Sequence, residues 1–134
     1  MPFVLDSFAL LSHLEDEAGA PRVRQVLMAC QAGRELGYVS LINVGEALYI
    51  TERERGVTQA AKVLGLIDQL PLSQLPTTRA RILAAAHIKA RLPISYADAF
   101  AVAVAQELAA TILTGDPEFE VVEGEVAVEW LPRG

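Results

Sequence analysis

The feature that most constrains this chain is a set of very short apolar runs, each followed by a stretch of helical periodicity. Phe3-Val4-Leu5 is the first; it stops at Asp6-Ser7, after which Phe8, Leu11 and Leu14 recur at helical spacing. An uninterrupted apolar run has no solvent face, so it predicts a strand buried on both sides. Similar short strands are expected at Tyr38-Val39, Pro71–Leu75, Thr111–Thr114 and Val126–Leu131. Helices are expected between them. One carries Val23, Val26, Leu27 and Cys30, and another runs from Leu41 until Gly56. A third is capped by Thr58 and carries Ala61, Val63, Leu64 and Ile67. A fourth starts at Thr78 with Ile82, Leu83, Ala86 and Ile88, and a fifth spans Ser95 to Leu108. This order predicts an α/β protein of three layers, with a mostly parallel central sheet of about five strands and helices on both faces.

At 134 residues the chain is expected to form a single domain over 1–134, and 52% hydrophobic residues with only 6% aromatics predict a core of Ala, Val, Leu and Ile. Seventeen acidic residues against 11 basic ones give a net charge of −6, which excludes nucleic-acid binding through bulk basicity alone. The lone cysteine, Cys30, excludes an intrachain disulfide and fits a reducing compartment. Met1–Asp6 shows no basic leader, and the apolar run Ala99–Ala105 is far below the roughly 20 residues of a membrane span, so a cytoplasmic protein is expected.

In parallel sheets the ligand site lies beyond the carboxyl ends of the strands. Asp6 directly follows the first strand, and Asp116 follows Ile112-Leu113-Thr114-Gly115. Each also fits a helix cap, Asp116 with Pro117 at the first helical position. Glu46 stands on an otherwise apolar face, one turn from both Ile42 and Ile50. Asp98 has a similar setting, although Ser95-x-x-Asp98 also matches a capping box in which Asp98 reaches back to the Ser95 amide. Buried carboxylates cost several kcal/mol unless paired, protonated or cation-bound. No Lys or Arg lies within two positions of any of the four. An all-oxygen acidic pocket suits Mg²⁺ or Mn²⁺, and such ions activate water for phosphodiester hydrolysis.

These segments together resemble a PIN domain, specifically the toxin nuclease of VapBC-type toxin–antitoxin pairs. The resemblance rests on Phe3-Val4-Leu5-Asp6-Ser7, Ser40–Ala47 around Glu46, Ser95–Ala103 around Asp98, and Ile112-Leu113-Thr114-Gly115-Asp116-Pro117-Glu118-Phe119. It implies a Mg²⁺- or Mn²⁺-dependent endoribonuclease acting on RNA. Asp6, Glu46 and Asp98 would hold the metal, Asp116 would complete the pocket, and Thr114 would supply a hydroxyl beside it. Ser7 fills a frequent Ser/Thr position. Phe8 departs from the family pattern, where a polar residue, often asparagine, is common. A homodimer and a small antitoxin protein that inserts into the active-site groove are implied as partners.

Other metal-using α/β signatures fail on this sequence: Phe8 occupies the site of the second aspartate of a haloacid dehalogenase-type phosphotransferase, and Phe8 and Leu10 replace the serines of an adhesion-type metal site. An RNA-processing nuclease outside toxin–antitoxin biology, or a non-catalytic PIN-like binding module, are the alternative readings. His13 and His87 lack a His-x-x-x-His partner and are expected to play surface or core roles. Trp130 is expected to pack in the sheet. Arg22, Arg24, Arg53, Arg55, Arg79, Arg81, Lys89 and Arg91 are expected on solvated faces or along a substrate groove.

Overall fold

The computed structural model describes residues 1–134. Its elements run β1 (Pro2–Leu5), α1 (Ser7–Leu14), α2 (Ala20–Gln31), β2 (Leu36–Ser40), α3 (Leu41–Arg55), α4 (Val57–Asp68), β3 (Ser73–Leu75), α5 (Arg79–Arg91), α6 (Tyr96–Leu108), β4 (Thr111–Thr114), a 3₁₀ helix (Pro117–Val122) and β5 (Val128–Trp130). The five strands form one sheet in the order β3-β2-β1-β4-β5, and every pairing is parallel. The sequence expectation of a three-layer α/β fold holds, with a sheet that is wholly rather than mostly parallel.

The apolar runs explain the layers. In β1, Phe3 and Leu5 enter a cluster with Ala9, Leu10, Val23, Val26, Val44, Val63 and Ile67 from α1 to α4. Val4 points the opposite way, into a cluster built from Ile88 of α5 and the alanines and valines of α6. Residues 99 to 105 of α6 are all buried, so this helix is sandwiched along its whole girth, as its continuous apolar run dictates.

Several boundaries differ from the sequence expectation. Thr58 does not cap α4: Gly56, at φ +91°, ends α3 and begins α4, a reversal in the left-handed region that Gly alone adopts freely. The buried stripe of α4 is Ala60, Val63 and Ile67, leaving Ala61 and Leu64 exposed. On α5 the inward stripe is Ala85 and Ile88, while Ile82, Leu83 and Ala86 face solvent. Thr78 caps α5 as expected, its hydroxyl accepting from the Arg81 amide at 3.2 Å. Trp130 does lie in the sheet, but at the exposed end of edge strand β5, its indole N–H donating to Glu123 at 3.4 Å. No helix is long and apolar enough to cross a membrane.

The order of strands places β1 and β4 side by side in the middle, with Leu5 opposite Leu113. Whatever follows those two strands must therefore meet at the carboxyl end of the sheet.

Candidate functional site

Asp6 leaves β1 and caps α1, accepting from the Ala9 amide at 2.9 Å through Oδ1. Its other oxygen accepts from the Thr114 hydroxyl at 2.5 Å. The same Thr114 Oγ1 accepts from the Asp116 amide at 3.0 Å, so one side chain at the end of β4 ties both strand-end aspartates together. Asp116 caps the 3₁₀ helix through the Glu118 amide at 2.9 Å, with Pro117 in the first turn. The cap readings of Asp6 and Asp116 are thus correct, and they coexist with a place in the hollow.

Glu46 reaches the group from α3, held by the Ser7 hydroxyl, which donates to it at 2.5 Å. Asp98 reaches it from the first turn of α6, and its residue is only 4% exposed. The buried Asn43, on α3, fastens these two helices by donating from Nδ2 to the Ala97 carbonyl at 3.2 Å.

The capping-box expectation for Asp98 is corrected in one half. The Ser95 hydroxyl accepts from the Asp98 amide at 3.1 Å, as a box requires, but the Ser95 amide donates to Glu118, not to Asp98. The Asp98 carboxylate is thereby left to face the other acids. Glu118, to which the sequence motifs assign no role, joins the group in the structure. A carboxylate oxygen from each of Asp98, Asp116 and Glu118 lies within 4.8 Å of the other two. The available signal was the Asp-Pro-Glu spacing: a proline fixing the first turn brings the next carboxylate round beside the capping aspartate.

Electrostatics sets this hollow apart. Burial raises the Asp6 carboxyl from its usual 3.8 to about 7, against the lowering effect of its bonds from Thr114 and Ala9; Asp116 and Glu46 add repulsion. Burial likewise raises Asp98 to about 8, with repulsion from Asp6, Glu118, Asp116 and Glu46. No lysine or arginine forms an ion pair with any of the five. Such a set of oxygen donors, crowded and uncompensated, is suited to a hard divalent cation.

Phe8, at the departure from the family pattern, has a steric role here. Its ring lies against Gly115, and a Cβ at that position would collide with it. Position 115 must therefore be bare for Thr114 and Asp116 to turn past α1. The two histidines stay out of the site: His13 Nδ1 accepts from Arg24 Nε at 3.3 Å, and His87 is exposed.

The sequence profile of the PIN domain matches residues 3–125, a span that contains all five acids. The chain is a PIN-domain protein. No curated protein matches it. Among solved structures, VapBC2 from Rickettsia felis, bound to a DNA fragment from its promoter, superimposes with a TM-score of 0.77 at 13% identity, covering 98% of this PIN-domain chain and 100% of its own. DNA-bound VapBC from Salmonella typhimurium gives 0.74 at 20% identity, covering 96% and 97%. Mycobacterium tuberculosis VapC20, described as a sarcin-ricin loop cleaving toxin, gives 0.73 at 18% identity, covering 97% and 99%. At these identities the likeness is one of fold.

Proposed function

We propose that this PIN-domain protein is a Mg²⁺- or Mn²⁺-dependent endoribonuclease, the toxin of a VapBC-type toxin–antitoxin pair. The observation that carries the reading is the meeting of Asp6, Glu46, Asp98, Asp116 and Glu118 at one sheet end without a single cation among them. A scaffold gains nothing from burying like charges together. The fold shared with VapBC structures supports the toxin assignment, and the cleaving activity in the description of VapC20 supports RNA as substrate.

Asp6, Glu46, Asp98 and Asp116 would hold the metal, with Glu118 beside Asp98 and Asp116 as a further donor. The bound ion supplies an activated water and neutralises charge developing on the scissile phosphodiester. The chain's own residues set the donors in place. Thr114 fixes the rotamer of Asp6 while steadying the Asp116 backbone, and Ser7 fixes Glu46. Asp6 and Asp98, whose carboxyls are raised to about 7 and about 8, would hold a divalent cation in their deprotonated form. Thr114 is therefore a positioning residue for the metal site rather than a group that touches substrate.

Purified protein should cleave RNA in Mg²⁺ or Mn²⁺ and stop when the metal is chelated. Asp6→Asn and Asp98→Asn should fold and lose cleavage; full cleavage by either would remove the catalytic assignment. A small DNA-binding antitoxin as inhibitory partner and a homodimeric toxin complete the proposal. A short reading frame for that antitoxin beside this one, and co-purification of the two products, would support the toxin role over RNA processing.

A further inference from the structure

Five carboxylates around one hollow repel a phosphate backbone, so a nucleic acid held there needs a cationic foothold nearby. The elements that carry the acids supply almost none. β1, α1, α6, β4 and the 3₁₀ helix contain no lysine or arginine. Only α3 does, with Arg53 and Arg55. Arg55 is taken up by Glu15 at 2.6 Å. Arg53 forms no ion pair, and its guanidinium lies 5.2 Å from the centre of the Tyr49 ring. Tyr49 is 51% exposed.

Helical spacing relates this pair to the hollow. Tyr49 is three residues beyond Glu46 and Arg53 seven, so both project from the Glu46 side of α3, one and two turns along. At the rise of an α-helix, Arg53 stands about 10 Å along the axis from Glu46. A ring with a guanidinium over one face and much of its surface open to solvent has the makeup of a stacking platform with a phosphate contact attached.

We propose that Tyr49 and Arg53 form a subsite for single-stranded RNA beside the acidic hollow, the Tyr49 ring stacking on an unpaired base and the Arg53 guanidinium binding the adjoining phosphate. The inference rests on the nuclease reading of the hollow. Base-paired RNA does not fit it, because the faces of its bases are already stacked on one another.

The test is fluorescence anisotropy with an end-labelled 12-mer RNA free of self-complementarity, offered single-stranded or annealed to its complement. Asp98→Asn protein in Mg²⁺ is the parent, so that no cleavage intervenes. Tyr49→Ala should weaken single-strand binding about tenfold and leave duplex binding within about twofold. Tyr49→Phe should bind within about twofold of the parent, and Tyr49→Leu as weakly as the alanine variant, since a flat ring is what stacks. Arg53→Ala should flatten the dependence of log affinity on log salt by about 0.7. Circular dichroism checks folding, and should Tyr49→Ala unfold, the Phe and Leu variants carry the comparison. Equal binding by the Phe and Leu variants, an unchanged salt slope, or a parent that binds duplex as well as single strand overturns the subsite. The cleavage assay on the wild-type protein judges the nuclease reading separately: RNA cut in Mn²⁺ with Tyr49 and Arg53 indifferent to binding sinks the subsite alone.

Discussion

Carboxylates at the rim of this molecule and those at the end of its sheet are the same chemical group in opposite circumstances. Glu107 takes a two-pronged bond from Arg81, and Glu125 another from Arg91, and in each case the arginine bond holds the carboxyl below its usual value. Glu129 also has an arginine partner, Arg22 at 2.7 Å. Asp6 and Asp98 have no such partner, and burial lifts both far above the ordinary range. Arginines are thus spent on glutamates that solvent would have served, while the acids most in need of a counter-charge are left without one. Selection for stability alone would have distributed them otherwise, because uncompensated buried charge is among the costlier things a fold contains. Under the function proposed above, a divalent cation would supply the missing counter-charge.

The largest expected break in this contrast is Asp98→Asn. Cleavage of RNA in Mg²⁺ should fall at least about a hundredfold, as expected when a metal-holding group is lost. The same substitution should raise the melting temperature in chelator above pH 8, where the wild-type carboxyl has given up its proton, and leave it nearly unchanged near pH 7. A variant that loses activity by unfolding would show the reverse.

The next effect is in pH, and its sign differs between the two regions. In the unfolded chain Asp6 and Asp98 titrate near 3.8, but in the folded protein at about 7 and about 8. Between about pH 4 and pH 8 the folded state therefore binds more protons than the unfolded one, and stability falls as pH rises through that window. At the rim, Glu107 and Glu125 are depressed, so their contribution is present above the usual 4.5 and lost as the solution becomes more acid. Urea midpoints in chelator should be lower at pH 8.5 than at pH 5.5, and saturating Mn²⁺ should reverse that order. A midpoint that climbs steadily to pH 8.5 without metal would contradict the assignment of the raised carboxyls.

Gly115→Ala tests the crowding that shapes the hollow. The new methyl meets the Phe8 ring, and overpacking of this kind costs about 1–3 kcal/mol, readable by urea titration. Adding Phe8→Leu should recover part of that loss. Smallest of all, Arg81→Met at the rim should cost about 1 kcal/mol and leave cleavage unchanged: the Arg81 side chain is only 17% exposed, but its partner Glu107 is open to water.

Local chemistry made much of this legible in the sequence. Phe3-Val4-Leu5 and Ile112-Leu113 read as buried strands because no polar residue interrupts them, and the acids at their ends follow from the rule for parallel sheets. Glu46 declared itself by standing on an apolar helix face. What stayed hidden depends on partners distant in the chain. Nothing near Ser95 announces that its amide will be capped from position 118, and so the capping box pointed to Asp98 instead. Leu36 and Gly37 extend β2 beyond Tyr38-Val39 because β1 lies alongside to pair with them. The inward stripes of α4 and α5 depart from simple hydrophobic periodicity for a related reason: alanines at 60 and 85 allow close approach to neighbours, which hydrophobicity alone does not rank above Leu64 or Leu83.

The bond from Thr114 to Asp6 spans 108 positions. During synthesis β1 is made long before its central neighbour β4 and must wait for it. Until then Asp6 has neither Thr114 to orient it nor Asp116 beside it, and the hollow is half built. The acids of the two central strands are brought together only once β4 has paired with β1, so the hollow is assembled in a single late step of folding.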